Sequence, residues 1–250
     1  MNILKTAAVA FSMFSALPMP QFEWTRKNMR FSLCAFPLIG LVIGAVRFGF
    51  SLLPLPHLLI SVGLCLIPVL ITGGIHLDGY ADTSDALASH ADKDRKLQIL
   101  KDPNCGAFAV IRLICYFIAY LSLCFTLRAD GRALLLMTLA YCLERCLSGM
   151  AVASFPLAKN SGLAYTFAEA ADKRKVYIIL SVCAALLALA VLLLGGILML
   201  IAAGLVFLLY RRTADKEFGG ITGDLAGWFL QRAELWMLGA LVLSQIGGII

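Results

Sequence analysis

The sequence predicts an all-α fold, a polytopic integral membrane helical bundle of about seven to eight transmembrane or membrane-embedded helices with its charged loops gathered on one side. Three observations point there. Apolar residues make up 61% of the chain and charged residues 14%, where a soluble domain carries about 25% charged. A mean hydropathy of +0.89 is more than one soluble core of 27.0 kDa could hide, whereas lipid can cover it. Apolar runs near the length of a bilayer span also recur along the chain, and basic residues concentrate between them.

Eight runs qualify: 3–20, 31–53, 57–75, 106–127, 133–155, 176–194, 196–210 and 225–250. The first contains Lys5 and ends in Leu17-Pro18-Met19-Pro20, so it either crosses or lies along the interface. It resembles a secretory signal peptide, but no small-x-small cleavage site follows it, and a retained segment is expected. Val176 to Tyr210 is too long for one span, since 35 residues extend about 52 Å against a ~30 Å hydrocarbon core. Gly195-Gly196 supplies a break, and Lys173-Arg174-Lys175 and Arg211-Arg212 flank the run, which predicts a hairpin with both ends on one side. No repeat or linker divides the chain, so residues 1–250 read as one integral membrane domain.

The connections after runs one, three, five and seven hold Arg26, Lys27, Arg30, Lys93, Arg95, Lys96, Lys101, Lys159, Lys173, Arg174, Lys175, Arg211, Arg212 and Lys216, fourteen of the twenty-one basic residues. The other side holds only Lys5, Arg128 and Arg132. The positive-inside rule then places the four charged loops in the cytoplasm and both termini outside. The net charge of +6 is largely this topology signal, and it also favours anionic lipid or an anionic substrate. Of eight cysteines, seven lie inside apolar runs and no CxxC pair occurs, so they read as packing residues.

The chemistry concentrates in Gly73-Gly74-Ile75-His76-Leu77-Asp78-Gly79-Tyr80-Ala81-Asp82-Thr83-Ser84-Asp85. Asp78, Asp82 and Asp85 stand at i, i+4 and i+7, one face of a helix beginning where an apolar run ends. Desolvating three carboxylates there is costly unless a cation compensates, and hard oxygen donors suit Mg²⁺ or Mn²⁺ accompanied by phosphates. His76 is a ligand, a proton carrier or an interfacial cap; His90 and Asp92 to Lys96 read as solvated. A second cluster, Glu217-Phe218-Gly219-Gly220-Ile221-Thr222-Gly223-Asp224, offers close backbone approach at Gly220 and Gly223, a hydroxyl at Thr222 and a carboxylate at a helix mouth. Lys101-Asp102-Pro103-Asn104-Cys105-Gly106 either punctuates a helix start or reaches a phosphate or ribose. Among charges inside the apolar runs, Arg145 is the preferred functional candidate. Glu144 is its chain neighbour, and adjacent helical positions are not expected to pair. Arg47 and Arg112 read as snorkelling or structurally paired.

At these residues the chain resembles the cobalamin synthase family, the adenosylcobinamide-GDP ribazoletransferases. The resemblance rests on Gly73 to Asp85, Lys101-Asp102 through Gly106 and Gly219 to Asp224, with Leu17-Pro18-Met19-Pro20 and Phe36-Pro37-Leu38-Ile39-Gly40 in support, and it runs the length of the chain. One departure is Lys159 in Phe155-Pro156-Leu157-Ala158-Lys159-Asn160, where the family pattern has an arginine. The chain is also similar, more distantly, to CDP-alcohol phosphotransferases, whose membrane-embedded aspartates bind divalent metal. The resemblance implies joining adenosylcobinamide-GDP to α-ribazole or α-ribazole 5′-phosphate, releasing GMP, a late step of vitamin B12 assembly, with Mg²⁺ or Mn²⁺ as cofactor.

In that frame Asp78, Asp82, Asp85 and Asp224 would be metal ligands, with Asp82 or His76 handling the hydroxyl proton. Lys101, Arg145 and Arg212 would steady phosphates, and Asp102, Asn104, Gly106, Gly220, Thr222 and Gly223 would line the substrate. A wide cavity bordered by the basic loops is expected to admit the corrinoid. Expected partners are these small molecules and lipid of a prokaryotic inner membrane, with a second copy of the chain and other cobalamin-assembly enzymes as candidate protein partners and no nucleic acid. The rival class is a cation or metal transporter using the acids as an ion site, which predicts acids deep within spans and an inverted repeat.

Overall fold

The computed structural model describes residues 3–250. Helix α1, Ile3–Phe14, stops well before Pro18 and Pro20, so it is shorter than the run read from the sequence. A single turn, α2 (Arg26–Met29), leads into α3, Ser32–Ser51. Then come α4 (His57–Thr72) and α5 (Ile75–Ala88), bent from each other by 93°. The bend falls on Gly73 and Gly74, at φ 66° and 78°, two successive left-handed residues that a side chain would strain.

Short α6 (Lys93–Ile99) precedes the long α7 (Ala107–Thr126) and α8 (Gly131–Ser154). After α9 (Leu163–Ala170), α10 (Lys173–Leu193) and α11 (Ile197–Thr213) are separated at Gly195, φ 81°, where the sequence placed the break. A wide π-helical turn, Ala214–Phe218, ends α11, and α12 (Gly223–Ile246) closes the chain. Among the described residues the only extended pairing is one bridge between Leu157 and Ile221.

The chain is the all-α membrane bundle expected, and five or six of the seven or eight transmembrane or membrane-embedded helices expected have the length and hydropathy of a full span. Five helices (α3, α7, α8, α10 and α11 with its π turn) are long and apolar enough to cross, six if the bent α4–α5 pair counts as one. Two differences have a physical reason. Helix α1 is too short. Helix α12 is long enough, but Gln231, Arg232 and Glu234 dilute its apolar character, and it tolerates them because neighbouring helices rather than lipid surround it. Helices α8 and α12 form the core of the bundle, whereas α10 stands at its edge: 72% of the apolar stretch of α8 is buried against 17% of that of α10. Leu41, Leu58, Ile118, Leu186 and Leu208 on the outer helices remain exposed, a surface suited to acyl chains.

The polar loops meet at one end of this bundle. Buried Lys96 reaches Glu217 at 2.6 Å, tying α6 to the π turn, and Lys93 donates to the Asp215 carbonyl at 3.2 Å. Arg30 pairs with Asp172 at 2.5 Å, and Ala158 donates to the Ile221 carbonyl at 3.0 Å. Arg128 and Arg132 cluster instead with Gln245, Ile250 and the Leu194 carbonyl. Two of the three basic residues assigned to the other side are thus kept apart from the fourteen.

Candidate active site between α5 and α12

The acidic helix and the last helix cross at glycines. A Cβ on Gly79 would lie 2.7 Å from the Asp224 carbonyl oxygen and 2.8 Å from its Cα. One on Gly227 would lie 2.9 Å from the His76 carbonyl oxygen. Backbones this close allow no side chain between them, which sets the first turn of α12 beside Asp78 and Asp82. Asp82 consequently stands within electrostatic reach of Asp78, Asp224 and Asp85. Asp85 abuts the entry to α7, where a side chain on Gly106 would collide with its carboxylate.

A cation faces Asp224: Lys159 Nζ is 3.9 Å from Asp224 Oδ2. It arrives on the Pro156–Lys159 loop, which the Ile221 N–H to Pro156 carbonyl bond of 2.8 Å holds against Gly220. Thr222 caps α12, accepting from the Leu225 N–H at 3.2 Å and donating to Asp224 at 3.3 Å. Among the described residues, no three acidic, histidine or cysteine donors converge closely enough to hold an ion as they stand.

Two cavities flank Asp78. A narrow one of about 210 Å³ is bordered by His76, Asp78, Lys159, Gly223 and Asp224 at its polar end. A wider one of about 630 Å³ is bordered by Asp78, Asp82, Asp102 and Asn104. Asp102 accepts from the Asn104 N–H at 2.9 Å and from its side-chain amide at 2.8 Å; these bonds hold the Asp102 carboxyl below the ordinary carboxylate range.

The remaining candidates are placed elsewhere. Lys101 and Arg212 are exposed and border neither cavity, and the wider cavity is lined by Asp78, Asp82 and Asp102 among small and apolar residues rather than by basic side chains. Arg145 is sealed in the bundle at 0% exposure, 2.5 Å from Glu144 and 3.7 Å from Glu234. It does pair with its chain neighbour, because in a dry interior the long guanidinium has few other acceptors, and it lies behind the site rather than in it. The structure also brings in residues that sequence reasoning passed over: Gly79 and Gly227 at the crossing, and Phe14 and Phe167 beside the narrow cavity. A small-residue spacing on α12 facing the acid helix was the available signal for Gly227.

Comparison with known proteins bears directly on this geometry. A family model described as cobalamin-5-phosphate synthase matches residues 6–242. The chain belongs to the cobalamin-5-phosphate synthase family. An adenosylcobinamide-GDP ribazoletransferase from Lachnoclostridium phytofermentans is 44% identical over 255 residues, covering 98% of this chain and 96% of the relative. Proteins of the same name from Clostridium perfringens (34% identical; 97% of this chain, 98% of the relative) and Geobacillus sp. (31%; 87% of each) are also similar. No solved structure matches. The cobalamin-5-phosphate synthase match spans all twelve helices except the ends of α1 and α12, and it leaves the transporter alternative without support.

Proposed function

We propose that this chain is an adenosylcobinamide-GDP ribazoletransferase of a prokaryotic inner membrane, working at the cytoplasmic face. The observation that carries this reading is the match to the family from Thr6 to Val242, since every element of the α5–α12 site lies inside it. A ribose hydroxyl of α-ribazole, or of its 5′-phosphate, attacks the corrinoid-side phosphorus of the donor pyrophosphate. The new P–O bond forms as the bond to GMP breaks, and the hydroxyl proton leaves to a base.

The donor chemistry suits a divalent ion once the side chains draw together: Asp82 feels the three other carboxylates, and Lys159 faces Asp224. Asp78, Asp82, Asp85 and Asp224 would hold Mg²⁺, with Mn²⁺ as an alternative. An ion held there would supply neutralisation of the negative charge on the reacting phosphates. Asp82 is the proton acceptor, because it has the other three carboxylates around it and borders the wider cavity. The first turn of α12, with its positive dipole end, and the Lys159 ammonium hold the transferred phosphate. Thr222 caps that turn through the Leu225 N–H, and Asp102 with Asn104 shapes the donor entrance.

The basic end of the bundle would face the cytoplasm by the positive-inside rule. Purified protein given adenosylcobinamide-GDP, α-ribazole and Mg²⁺ should release GMP, and none should appear without α-ribazole. Wild-type protein that is folded yet releases no GMP would refute the reading.

A further inference from the structure

The narrow cavity has a composition that phosphate chemistry does not call for. Beyond its polar end it is walled by Phe14, Phe36 and Phe167 with Val152 and Leu230. Phe14 packs between the other two rings at 4.6 and 5.0 Å, so α1, α3 and α9 build one aromatic wall. His76 borders this space in a T-shaped pair with Phe36, ring centroids 5.8 Å apart, and its buried Nε2 has no hydrogen-bond partner. An orphaned buried nitrogen is costly, and a ligand atom that satisfies it recovers that cost.

Size selects the class of ligand. At about 210 Å³ the cavity is smaller than the roughly 300–1,000 Å³ typical of whole small-molecule sites, so it takes one ring system and not a nucleotide or a corrinoid. The 630 Å³ cavity on the other side of Asp78 has room for the pyrophosphate end of the larger donor. α-Ribazole is the riboside of dimethylbenzimidazole, a flat, apolar, two-ring base with one ring nitrogen left as an acceptor.

The geometry points to the narrow cavity as the acceptor subsite, in which the two-ring base lies against the Phe14–Phe36–Phe167 wall and, with a small turn of the imidazole, accepts a hydrogen bond from His76 Nε2. The ribose then emerges at Asp78, Asp224 and Lys159, where the wider cavity presents the donor pyrophosphate. Asp78 thus stands between the two substrates. This rests on the proposed function for the identity of the acceptor, but not for the chemistry of the cavity.

The experiment uses two substitutions that fill the cavity from different walls, Val152→Phe on α8 and Ala164→Leu on the short, more accessible α9. Steady-state kinetics on purified full-length protein should show the KM for α-ribazole rising about tenfold or more, the scale of a crowded apolar pocket. The KM for adenosylcobinamide-GDP should stay within about twofold of wild type. Free dimethylbenzimidazole should bind wild-type protein in equilibrium dialysis and compete with α-ribazole but not with the donor. His76→Phe should weaken that binding, and His76→Gln should restore part of it.

A folded Ala164→Leu protein with an unchanged KM for α-ribazole overturns the assignment, as does a rise in the donor KM alone. Binding of short-chain lipid in place of the free base, blocked by the same substitutions, would make the cavity an acyl-chain site and also overturn it. Wild-type protein that binds the base but releases no GMP would instead refute the proposed function and leave the cavity assignment standing.

Discussion

Replacing Gly79 by alanine tests whether the α5–α12 crossing sets the catalytic geometry. The added Cβ would sit 2.7 Å from the Asp224 carbonyl oxygen, where ordinary contact begins at 3.4 Å, a shortfall of 0.7 Å. Backbone supplies that contact, so no rotamer change relieves it. Asp224 lies in the first turn of a 24-residue helix and cannot shift alone. The helices must separate by several tenths of an ångström, at a cost of about 1–3 kcal/mol for overpacking. Asp224 and the α12 N–H groups then move away from Asp78 and Asp82. A misplacement near 1 Å can cost about 10²-fold, so GMP release should fall by roughly 10- to 10²-fold. Gly227→Ala meets the His76 carbonyl oxygen at 2.9 Å and should cost less. Gly204→Ala, in α11 with nothing within 4 Å, is the control and should stabilise by up to ~1 kcal/mol without touching activity. The assay is GMP release alongside thermal unfolding in detergent. Gly79→Ala protein that melts and turns over like wild type would refute the reasoning.

Asp82→Asn should reduce GMP release by about 10²- to 10⁴-fold while leaving metal-free melting unchanged or higher, since it removes one of four mutually repelling charges; a variant with full activity rules Asp82 out as the proton acceptor. Saturating Mg²⁺ or Mn²⁺ should raise the melting temperature of wild type, with about 2.7 kcal/mol expected at a hundred times Kd, and Asp224→Asn should shrink that shift; melting indifferent to metal in wild type counts against the ion site. Arg145→Met leaves Glu144 and Glu234 sealed without their cation and should cost about 3–5 kcal/mol, read as lost folded yield. Adding Glu144→Gln and Glu234→Gln should recover it, and failure of that rescue would give Arg145 a role beyond charge balance.

What was readable from sequence follows what is local. The acid face over Asp78, Asp82 and Asp85 needs only helical periodicity, and the break at Gly195 needs only a span-length limit and a left-handed residue. The short α1 and the number of spans were less legible, because hydropathy reports what a helix could face and not what it does face. Helix α12 shows the gap: its polar residues argue against a lipid-facing span, yet in the centre of the bundle Glu234 finds Arg145 and the helix buries most of its length. The depth of Arg145, sealed at the centre of the bundle, is illegible for the same reason, since a charge within an apolar run carries no mark of depth.

The contact that organises the site was invisible on different grounds. Gly79 stands inside the acid motif and Gly227 three residues after Asp224, and each reads alone as an unremarkable small residue. Only their approach across 148 positions of chain gives them meaning. That approach also explains why the acids sit where the apolar run stops: α5 must leave the axis of α4 by 93° to lay Gly79 against α12, and Gly73-Gly74 permits the turn. The two glycine pairs are therefore one device. The first aims the acidic helix and the second lets it come close enough for Asp224 to join Asp78 and Asp82, so either pair altered alone should disable the site while every carboxylate remains in the sequence.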